Sequence, residues 1–453
     1  MSFSSKLKPN PGTDPMIEPA HVRRANGNNN NKDHNNDVTA QIASALIEST
    51  GLLRAPQRIG PLVQKVVSDK LRITFEQRHL YSYTKNKRST DEALNALLRW
   101  IINAQRPDGG IAAYYSLLTG YSESYPEVTG YIVPTLYDFA SMTNDGQAAT
   151  VAQRATQWLL SLQVSTGAFP GGLHSGSHGT ESQPSVFNTG QVLQGLVRAH
   201  AETSRPEILK AAVAAGDWLV KMQQVDGSWS GPAAYQDTAH TYYSMVAWAL
   251  AELSERSSDD KYGLAAERNL DWVLSHFNPS GWIDGINLKG HPDYLHFIAY
   301  VLQGALECGI VRRRSDAIQM VAKSAWTLLR KFETNKYLAG AYEVDFKSGA
   351  QFTCLTGNAQ MSCIWLRLFE MTDDLRYLNA ALKMNEMLKQ LIVVRGRRGI
   401  DGGVSGSYPI WGRYQPLRYI SWGCKFFADA LLLEHRLTRS FDVSTSEALS
   451  CAS

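Results

Sequence analysis

Carboxylate, imidazole, amide and aromatic residues recur where an apolar helical segment begins after a loop. Acid–base chemistry needs a carboxyl group or an imidazole held within reach of a reacting atom. The catalytic candidates at these positions are Glu127, Asp237, His240 and His296. Amide and aromatic side chains at the same positions suit ligand binding. The substrate-binding candidates are Tyr125, Asn188, Tyr242, His291, Asp293, Asn358, Tyr408, Trp411, Arg413 and Tyr414.

The elements that position these residues form a repeat. A helix, a Gly-containing turn and a second, more apolar helix recur six times along the chain. In the third copy, 210–223 has apolar residues at helical spacing, 224–229 is a turn built on Asp-Gly, and a helix is predicted over 237–256. Copies recur about every 50 to 60 residues, which indicates a repeat architecture. One hairpin cannot bury its own apolar face, so neighbouring copies must stack.

The second helix of each copy is apolar nearly all round, which is typical of a helix inside a core. The predicted fold class is therefore all-α, an (α/α)6 toroid of six helical hairpins with the second helices as its inner barrel. An open α-solenoid is the alternative. The toroid domain is predicted over 39–437. It follows an Asn-rich tail, 1–38, that is predicted to be disordered, and it precedes a flexible, Ser-rich tail, 438–453.

The inner helices of such a ring run parallel, so their N-termini meet at one end of the barrel. Helix N-termini carry unsatisfied N–H groups and partial positive charge, which suits an anionic ligand. Copies one and four lie opposite each other in a ring of six. We therefore expect Glu127 to face His291, Asp293 and His296 across the cavity.

Each catalytic candidate also has a structural interpretation, which the sequence leaves open. Asp237 and Asp293 can cap the helices that they precede, because Asp is a favoured N-cap residue. Glu127 can serve only the helix dipole. His240 and His296 can be buried core histidines.

Composition excludes several classes of protein. At 453 residues and 44% hydrophobic residues the chain can bury a large core, and a net charge of +3 indicates neither nucleic-acid nor membrane binding. No apolar run is long enough to span a bilayer, and the N-terminus lacks an apolar signal core, so a cytoplasmic location is expected. Five scattered cysteines favour reduced thiols. No metal or cofactor is predicted, and the oligomeric state is left open.

The turn 224–229, QVDGSW, with the Ala/Leu-rich helix that follows it, resembles the QW-type repeat of terpenoid cyclases and protein prenyltransferases. The resemblance spans most of the chain and implies an α–α toroid. It does not carry the chemistry of either group. The Asp-x-Asp-Asp motif with which class II terpene cyclases protonate their substrate is missing, and so is the Asp-x-Cys zinc pair of prenyltransferases.

Three further motifs are YPEVTGYIVPT at 125–135, LTGNAQ at 355–360 and GSYPIWGRY at 406–414. Together they resemble a family of uncharacterised toroid proteins associated with bacterial polysaccharide biosynthesis, over roughly 90–435. That family is broadly similar to six-hairpin carbohydrate-active enzymes. The resemblance implies a carbohydrate-active enzyme that acts on an acidic or lipid-linked glycan.

Three reactions fit the candidate residues. A glycoside hydrolase needs two carboxyl groups, which Glu127 can provide with Asp237 or Asp293. An epimerase needs acid–base groups on opposite faces of a carbon, as Glu127 and His296 would be. A lyase needs a group that neutralises a uronate carboxylate and a base, and its candidates are Asn188, His240, Tyr242 and Arg413. The alternatives are a terpenoid cyclase- or prenyltransferase-like enzyme, and a non-catalytic scaffold of a polysaccharide assembly complex.

Overall fold

The computed structural model describes residues 88–143, 146–174, 183–286, 288–394 and 398–450, with side chains described up to residue 438. The predicted disordered tail, 1–38, lies outside the described residues. The last helix continues to Ser450, past residue 437, at which the sequence predicts the domain to end.

Twelve α-helices in the described part of the chain alternate between an outer and an inner ring. The outer helices are α1 (Thr90–Ala104), α3 (Gly146–Leu162), α5 (Pro206–Met222), α7 (Asp260–Leu274), α9 (Ser315–Asn335) and α11 (Leu375–Leu391). The inner helices are α2 (Pro126–Thr143), α4 (Val186–Thr203), α6 (Ser244–Ser257), α8 (Leu295–Val311), α10 (Leu355–Thr372) and α12 (Ser421–Ser450). The inner helices are the more deeply buried, as their apolar sequences predict.

The ring is closed. Each inner helix packs against the next from α2 to α12, and α12 packs back against α2. Each outer helix from α3 to α11 packs on the inner helix that precedes it, while α1 packs on α12. The predicted (α/α)6 toroid is therefore confirmed, and the open solenoid is excluded.

Hydrogen bonds between the first and last copies hold the closure. Trp100 Nε1 on α1 donates to the carbonyl of Gly399 at 2.9 Å, and Thr90 Oγ1 donates to Glu434 Oε1 at 2.8 Å. A three-stranded antiparallel sheet in the order β2-β1-β7 adds backbone pairing between the same copies. Its strands are β1 (Tyr114–Ser116), β2 (Gly120–Tyr121) and β7 (Arg418–Ile420).

A glutamine clamp joins each of the first three outer helices to the next outer helix. The glutamine lies at or just after the end of its helix, and its Nε2 donates to the carbonyl of the turn glycine four residues later. The same Nε2 donates to a backbone carbonyl of the next outer helix, at 2.8–3.1 Å. The three sets are Gln105 with Gly109 and Val151, Gln163 with Gly167 and Ala211, and Gln223 with Gly227 and Ala265.

The turn glycine of the clamp is required for two reasons. Gly227 has a φ of 89°, a left-handed conformation that only glycine adopts without strain. A Cβ at this position would overlap the backbone carbonyl of Arg268 on α7. The repeated glutamine and glycine therefore set how closely successive copies approach.

The two ends of the barrel differ in their loops. Short turns join each inner helix to the following outer helix at one end. Long loops join each outer helix to the following inner helix, so they lie at the N-terminal end of the inner helices. These loops carry the sheet already described, two small sheets formed by β3 (Asp293–Tyr294) with β4 (Ala341–Tyr342) and by β5 (Thr353–Cys354) with β6 (Ser407–Tyr408), and 3-10 turns at Tyr235–Asp237, Thr241–Tyr243 and Val344–Phe346.

One inner helix starts later than the sequence predicts. The helix predicted over 237–256 begins at Ser244 instead. Gln236 and Asp237 have φ values of 53° and 57°, a left-handed backbone that cannot continue a right-handed helix. None of the described helices combines the length and the apolar character that crossing a bilayer requires.

Candidate functional site

Glu127 lies in the first turn of α2 and is fully buried. Its Oε2 accepts a hydrogen bond of 2.6 Å from the Tyr125 hydroxyl. The Tyr235 hydroxyl lies 3.3 Å from the same Oε2 and 2.7 Å from Asn188 Oδ1, so its single proton is shared between two acceptors. Residues of copies one, two and three thus meet in one hydrogen-bonded network at the N-terminal end of the barrel.

His240 joins this network through the backbone of Tyr235. Its Nε2 lies 2.9 Å from the Tyr235 carbonyl, which can only accept, so Nε2 carries the hydrogen. Burial lowers the pKa of His240, against the opposing effect of this hydrogen bond. The imidazole stacks on Tyr242, with ring centroids 5.0 Å apart. His240 is therefore favoured as a neutral imidazole with Nδ1 as its basic atom.

A second group of candidates lies on copy four. Asp293 is half-buried on β3, opposite Tyr342 of β4. Burial, with a smaller effect from Asp284, raises the pKa of Asp293 to about 6. Its Oδ1 is buried and has no hydrogen-bond partner among the described residues. Burial also lowers the pKa of the neighbouring His291, which is half-buried.

His296 lies deeper, in the first turn of α8. Its Nδ1–H donates to Gln360 Oε1 at 2.6 Å, and Gln360 Nε2 donates to Gln303 Oε1 at 3.2 Å. The other ring nitrogen, Nε2, has no hydrogen-bond partner among the described residues. Full burial lowers the pKa of His296 to about 3, so the imidazole is neutral at ordinary pH.

Aromatic rings fill the barrel between the two groups. We call this set the aromatic cluster; its members are Tyr131, Phe187, Tyr242, Phe297, Tyr300 and Phe426. Neighbouring ring centroids lie 5.2–5.8 Å apart, and no member is more than 2% exposed. The N-terminal half of the barrel is thus a packed aromatic core beneath the loops.

Several predicted residues lie outside these groups. Asn358 is fully buried, and its Nδ2 donates to Thr353 Oγ1 at 2.8 Å and to the Cys354 carbonyl at 2.7 Å, so its amide holds the β5 turn. The remaining candidates line the loops: Asp237 and Arg413 are exposed, Trp411 is half-buried, and Tyr408 is buried on β6.

Tyr414 joins the copy-four group instead. Its ring lies 5.1 Å from Tyr294 and 5.6 Å from His296. Its hydroxyl accepts a hydrogen bond from Trp422 Nε1 at 2.9 Å. Tyr414 therefore connects the sixth copy to the fourth.

Sequence reasoning missed two residues that organise the site. The Tyr235 hydroxyl contacts Glu127 and Asn188, and the Tyr235 carbonyl accepts a hydrogen bond from His240. Tyr235 was missed because it lies in an irregular loop whose sequence has no periodic pattern. Gln360 fixes the tautomer of His296 from a neighbouring inner helix. Its place in the LTGNAQ motif, at the start of an inner helix, was the available signal. In the described residues, no group of three or more His, Cys, Asp or Glu side chains is arranged to hold a metal ion.

Comparison with known proteins identifies the family. A family model described as the squalene-hopene cyclase C-terminal domain matches residues 75–304, just over half of the chain. The chain belongs to this family. The resemblance to the terpenoid cyclase toroid, read from the turn 224–229, is thereby confirmed. No curated protein matches this chain significantly.

Solved structures with a similar fold include three carbohydrate-active enzymes. An unsaturated glucuronyl hydrolase specific for heparin is 14% identical, with a TM-score of 0.60 over 77% of this chain and 96% of its own. Cellobiose 2-epimerase from Bacillus thermoamylovorans B4167 is 13% identical, with a TM-score of 0.60 over 76% and 97%. A D-mannose isomerase is 12% identical, with a TM-score of 0.62 over 76% and 97%. At these identities the structural similarity shows that this chain shares their toroid fold.

Proposed function

We propose that the protein is a carbohydrate-active enzyme that acts on an acidic or lipid-linked glycan, with Glu127 and Asp293 as its acid–base pair. The contrast between these two carboxyl groups carries the proposal. Glu127 Oε2 lies within hydrogen-bond distance of two phenolic hydroxyls, as suits a carboxylate acceptor. Burial raises the pKa of Asp293 to about 6, so this group holds its proton longer. A carboxyl group that acts as base or nucleophile and a second one that donates a proton are the two roles that glycoside hydrolysis needs.

Asp293 would donate its proton to the oxygen of the bond that breaks. Glu127, on the opposite inner helix of the ring, would act as base or nucleophile, held by Tyr125 and Tyr235. The substrate would have to bind at the loops above the aromatic cluster, which fills the barrel between the two carboxyl groups. The convergent N-termini of the inner helices favour an anionic sugar or a diphosphate-linked precursor. The shared fold with sugar-processing enzymes supports this substrate class.

The proposal is tested by incubating purified protein with uronate-containing and neutral oligosaccharides. Reducing ends, the ultraviolet absorbance of a new double bond, and product mass are followed together. New reducing ends without the double bond indicate hydrolysis. The double bond indicates a lyase, in which His240 would be the base, and an isomer of unchanged mass indicates an epimerase using Glu127 and His296. No turnover and no binding across the panel would exclude the carbohydrate assignment.

Asp293→Asn is expected to lower kcat/KM by roughly 100- to 10,000-fold, because the variant cannot donate a proton. In the wild type, kcat/KM should fall as pH rises above about 6, where Asp293 loses the proton that catalysis requires. Asp284→Asn removes a nearby negative charge that raises the Asp293 pKa, so this fall should move to lower pH. Asp345→Asn, on an exposed loop, is the control and should leave the profile unchanged. An unchanged profile in Asp284→Asn would argue against Asp293 as the acid.

An isoprenoid substrate is the second candidate, and the family and the aromatic cluster favour it. Aromatic faces stabilise positive charge, which arises during isoprenoid cyclisation. Incubation with an isoprenoid diphosphate, followed by gas chromatography of apolar products, separates this candidate from the first. A cyclised product that Tyr300→Ala abolishes would favour it over carbohydrate chemistry.

A further inference from the structure

Three polar side chains form a hydrogen-bonded chain inside the barrel. We call it the glutamine–histidine relay; its members are His296 and Gln303 of α8 and Gln360 of α10. His296 Nδ1–H donates to Gln360 Oε1 at 2.6 Å, and Gln360 Nε2 donates to Gln303 Oε1 at 3.2 Å. His296 and Gln303 lie about two helical turns apart on α8, so the relay covers roughly 10 Å of the barrel's length.

The two ends of the relay have different surroundings. At one end, His296 Nε2 is buried at the candidate site and has no hydrogen-bond partner among the described residues. At the other end, Gln303 lines a cavity of 610 Å³ between the C-terminal halves of the inner helices. Gln303 Nε2 makes no hydrogen bond within the described part of the chain. The relay therefore connects an imidazole at the candidate site to an amide that borders open space.

The charged groups beside Gln303 are paired with one another. Glu307, one turn later on α8, accepts hydrogen bonds from Arg367 at 2.8 and 3.0 Å. Arg367 also contacts Glu370 at 2.5 Å. These ion pairs are complete without the Gln303 amide. Within the described residues only Gln360 holds that amide, and the cavity gives it room to turn.

A chain of two amides has two orientations, because each amide is a donor at one end and an acceptor at the other. If both amides turn over, Gln303 Nε2 donates to Gln360 Oε1, and Gln360 Nε2 donates to His296 Nδ1. The proton on Nδ1 must then leave, and a proton is taken up at Nε2, so the imidazole stays neutral. Both orientations keep two hydrogen bonds, and they differ in which nitrogen of His296 carries the proton.

The imidazole ring is held in place by its aromatic neighbours. Its centroid lies 4.1 Å from that of Tyr300 and 5.6 Å from that of Tyr414. Packed interiors resist the rotation of a ring of this size. A change in the orientation of Gln360 is therefore met by a change of tautomer and not by a turn of the ring.

We propose that Gln303 is a positioning residue for His296: through Gln360, it sets which imidazole nitrogen carries the proton. The observed orientation leaves Nε2 as a hydrogen-bond acceptor and a base at the candidate site. The reversed orientation makes Nε2–H a donor. In the epimerase form of the proposed function, this choice decides whether His296 can accept a proton from the sugar.

Nitrogen NMR of the full chain with isotopically labelled histidine tests the proposal, because the two imidazole tautomers have different nitrogen shifts. His296→Gln assigns the signals. The wild type should carry its proton mainly on Nδ1. Gln303→Met removes the acceptor of Gln360 Nε2, so the tautomer ratio should move toward Nε2–H by roughly fivefold. Gln303→Arg offers donors only, so the Nε2–H form should become the major one.

Gln319→Met and Gln319→Arg, on the exposed side of α9, are the matched controls and should keep the wild-type tautomer. Circular dichroism of every variant checks folding, and Gln303→Met decides the outcome if Gln303→Arg does not fold. An Nε2–H wild type, or an unchanged tautomer ratio in the folded Gln303 variants, would overturn the proposal. The measurement needs no substrate, so a negative result here is distinct from a failure of the carbohydrate assignment.

Discussion

His296 lies inside the barrel with Nδ1 bonded to Gln360 and Nε2 among aromatic rings. Asp293 and Glu252 lie in different parts of the molecule, yet the largest influence on all three pKa values is the same: burial. Each is therefore shifted toward its neutral form. Ionisable groups shifted by burial can change charge when a ligand changes their surroundings.

His296 should make the protein sensitive to acid. Its pKa is about 3 in the folded state and near 6.5 in an unfolded chain, so below pH 6.5 the unfolded state binds a proton that the folded state does not. The stability contributed by the neutral imidazole is complete above pH 6.5 and is lost as pH falls toward 3, by on the order of 4 to 5 kcal/mol.

His296→Gln removes this titration, so the free energy of unfolding should decline less between pH 6.5 and 4 than in the wild type. Urea unfolding at several pH values measures the difference. His276→Gln, on a loop at the outer ring, serves as the control and should follow the wild-type curve. Parallel pH dependence of the wild type and His296→Gln would contradict the burial argument.

At this scale the prediction of which groups begin the inner helices is confirmed for Glu127 and His296 and is wrong for Asp237 and His240, because α6 begins only at Ser244. Glu127 and His296 lie where the repeat placed them, because a repeat fixes the position of each residue within its copy. Tyr235 and Gln360 were not predictable as partners. Their hydrogen bonds depend on loop conformation and on contacts between helices distant in sequence.

The glutamine clamp and its turn glycine join each of the first three outer helices to the next outer helix. Gly227 and Gly231 offer a matched comparison, with φ values of 89° and 86°. A Cβ at Gly227 would overlap the Arg268 backbone, whereas a Cβ at Gly231 would meet nothing within 4 Å.

Gly231→Ala should therefore cost only backbone strain, about 1 to 2 kcal/mol. Gly227→Ala should lower the free energy of unfolding by about 1 to 3 kcal/mol more, because the added Cβ forces α7 to move away. Chemical denaturation of both variants measures the difference. Equal losses would mean that the clamp tolerates a wider spacing between α5 and α7.

The sequence also predicted most helix starts, because a switch from turn residues to a helical apolar pattern is a local signal. It failed at α6. The left-handed backbone at Gln236 and Asp237 delays that helix to Ser244, although residues 237–243 contain no Gly or Pro that would signal the delay.

Closure makes the first and last copies neighbours, so no copy is an end of the array. Stability in open repeat arrays is nearly a sum over neighbours, and such arrays can unfold from their ends. A closed ring should instead unfold in one cooperative transition.

Trp100→Phe removes the indole donor to the Gly399 carbonyl and part of a fully buried side chain. We expect a loss of about 2 to 4 kcal/mol and a single transition that remains coincident by far-ultraviolet circular dichroism and by fluorescence. Trp272→Phe, at a half-buried position on α7, is the control and should cost less. Separate transitions by the two methods would show that closure does not couple the copies.

The ring itself was predictable, since six similar hairpins with apolar second helices favour closure. The distribution of open space within it was not. The aromatic cluster fills the N-terminal half, and a cavity of 610 Å³ lined by Trp248, Arg367 and Asp429 lies at the opposite end. Cavity position depends on how individual side chains pack, which a repeat pattern does not determine.

The hydrogen bond between Thr90 and Glu434 has a consequence for protein engineering. It places the start of the described toroid beside α12, so a flexible linker that runs back along about the last four turns of α12 can join the two. A circular permutant opened at the turn between α4 and α5 would keep all twelve helices and their neighbours. We expect such a permutant to fold into the same ring with its chain order rotated, which would make it a scaffold whose termini can be moved from copy to copy.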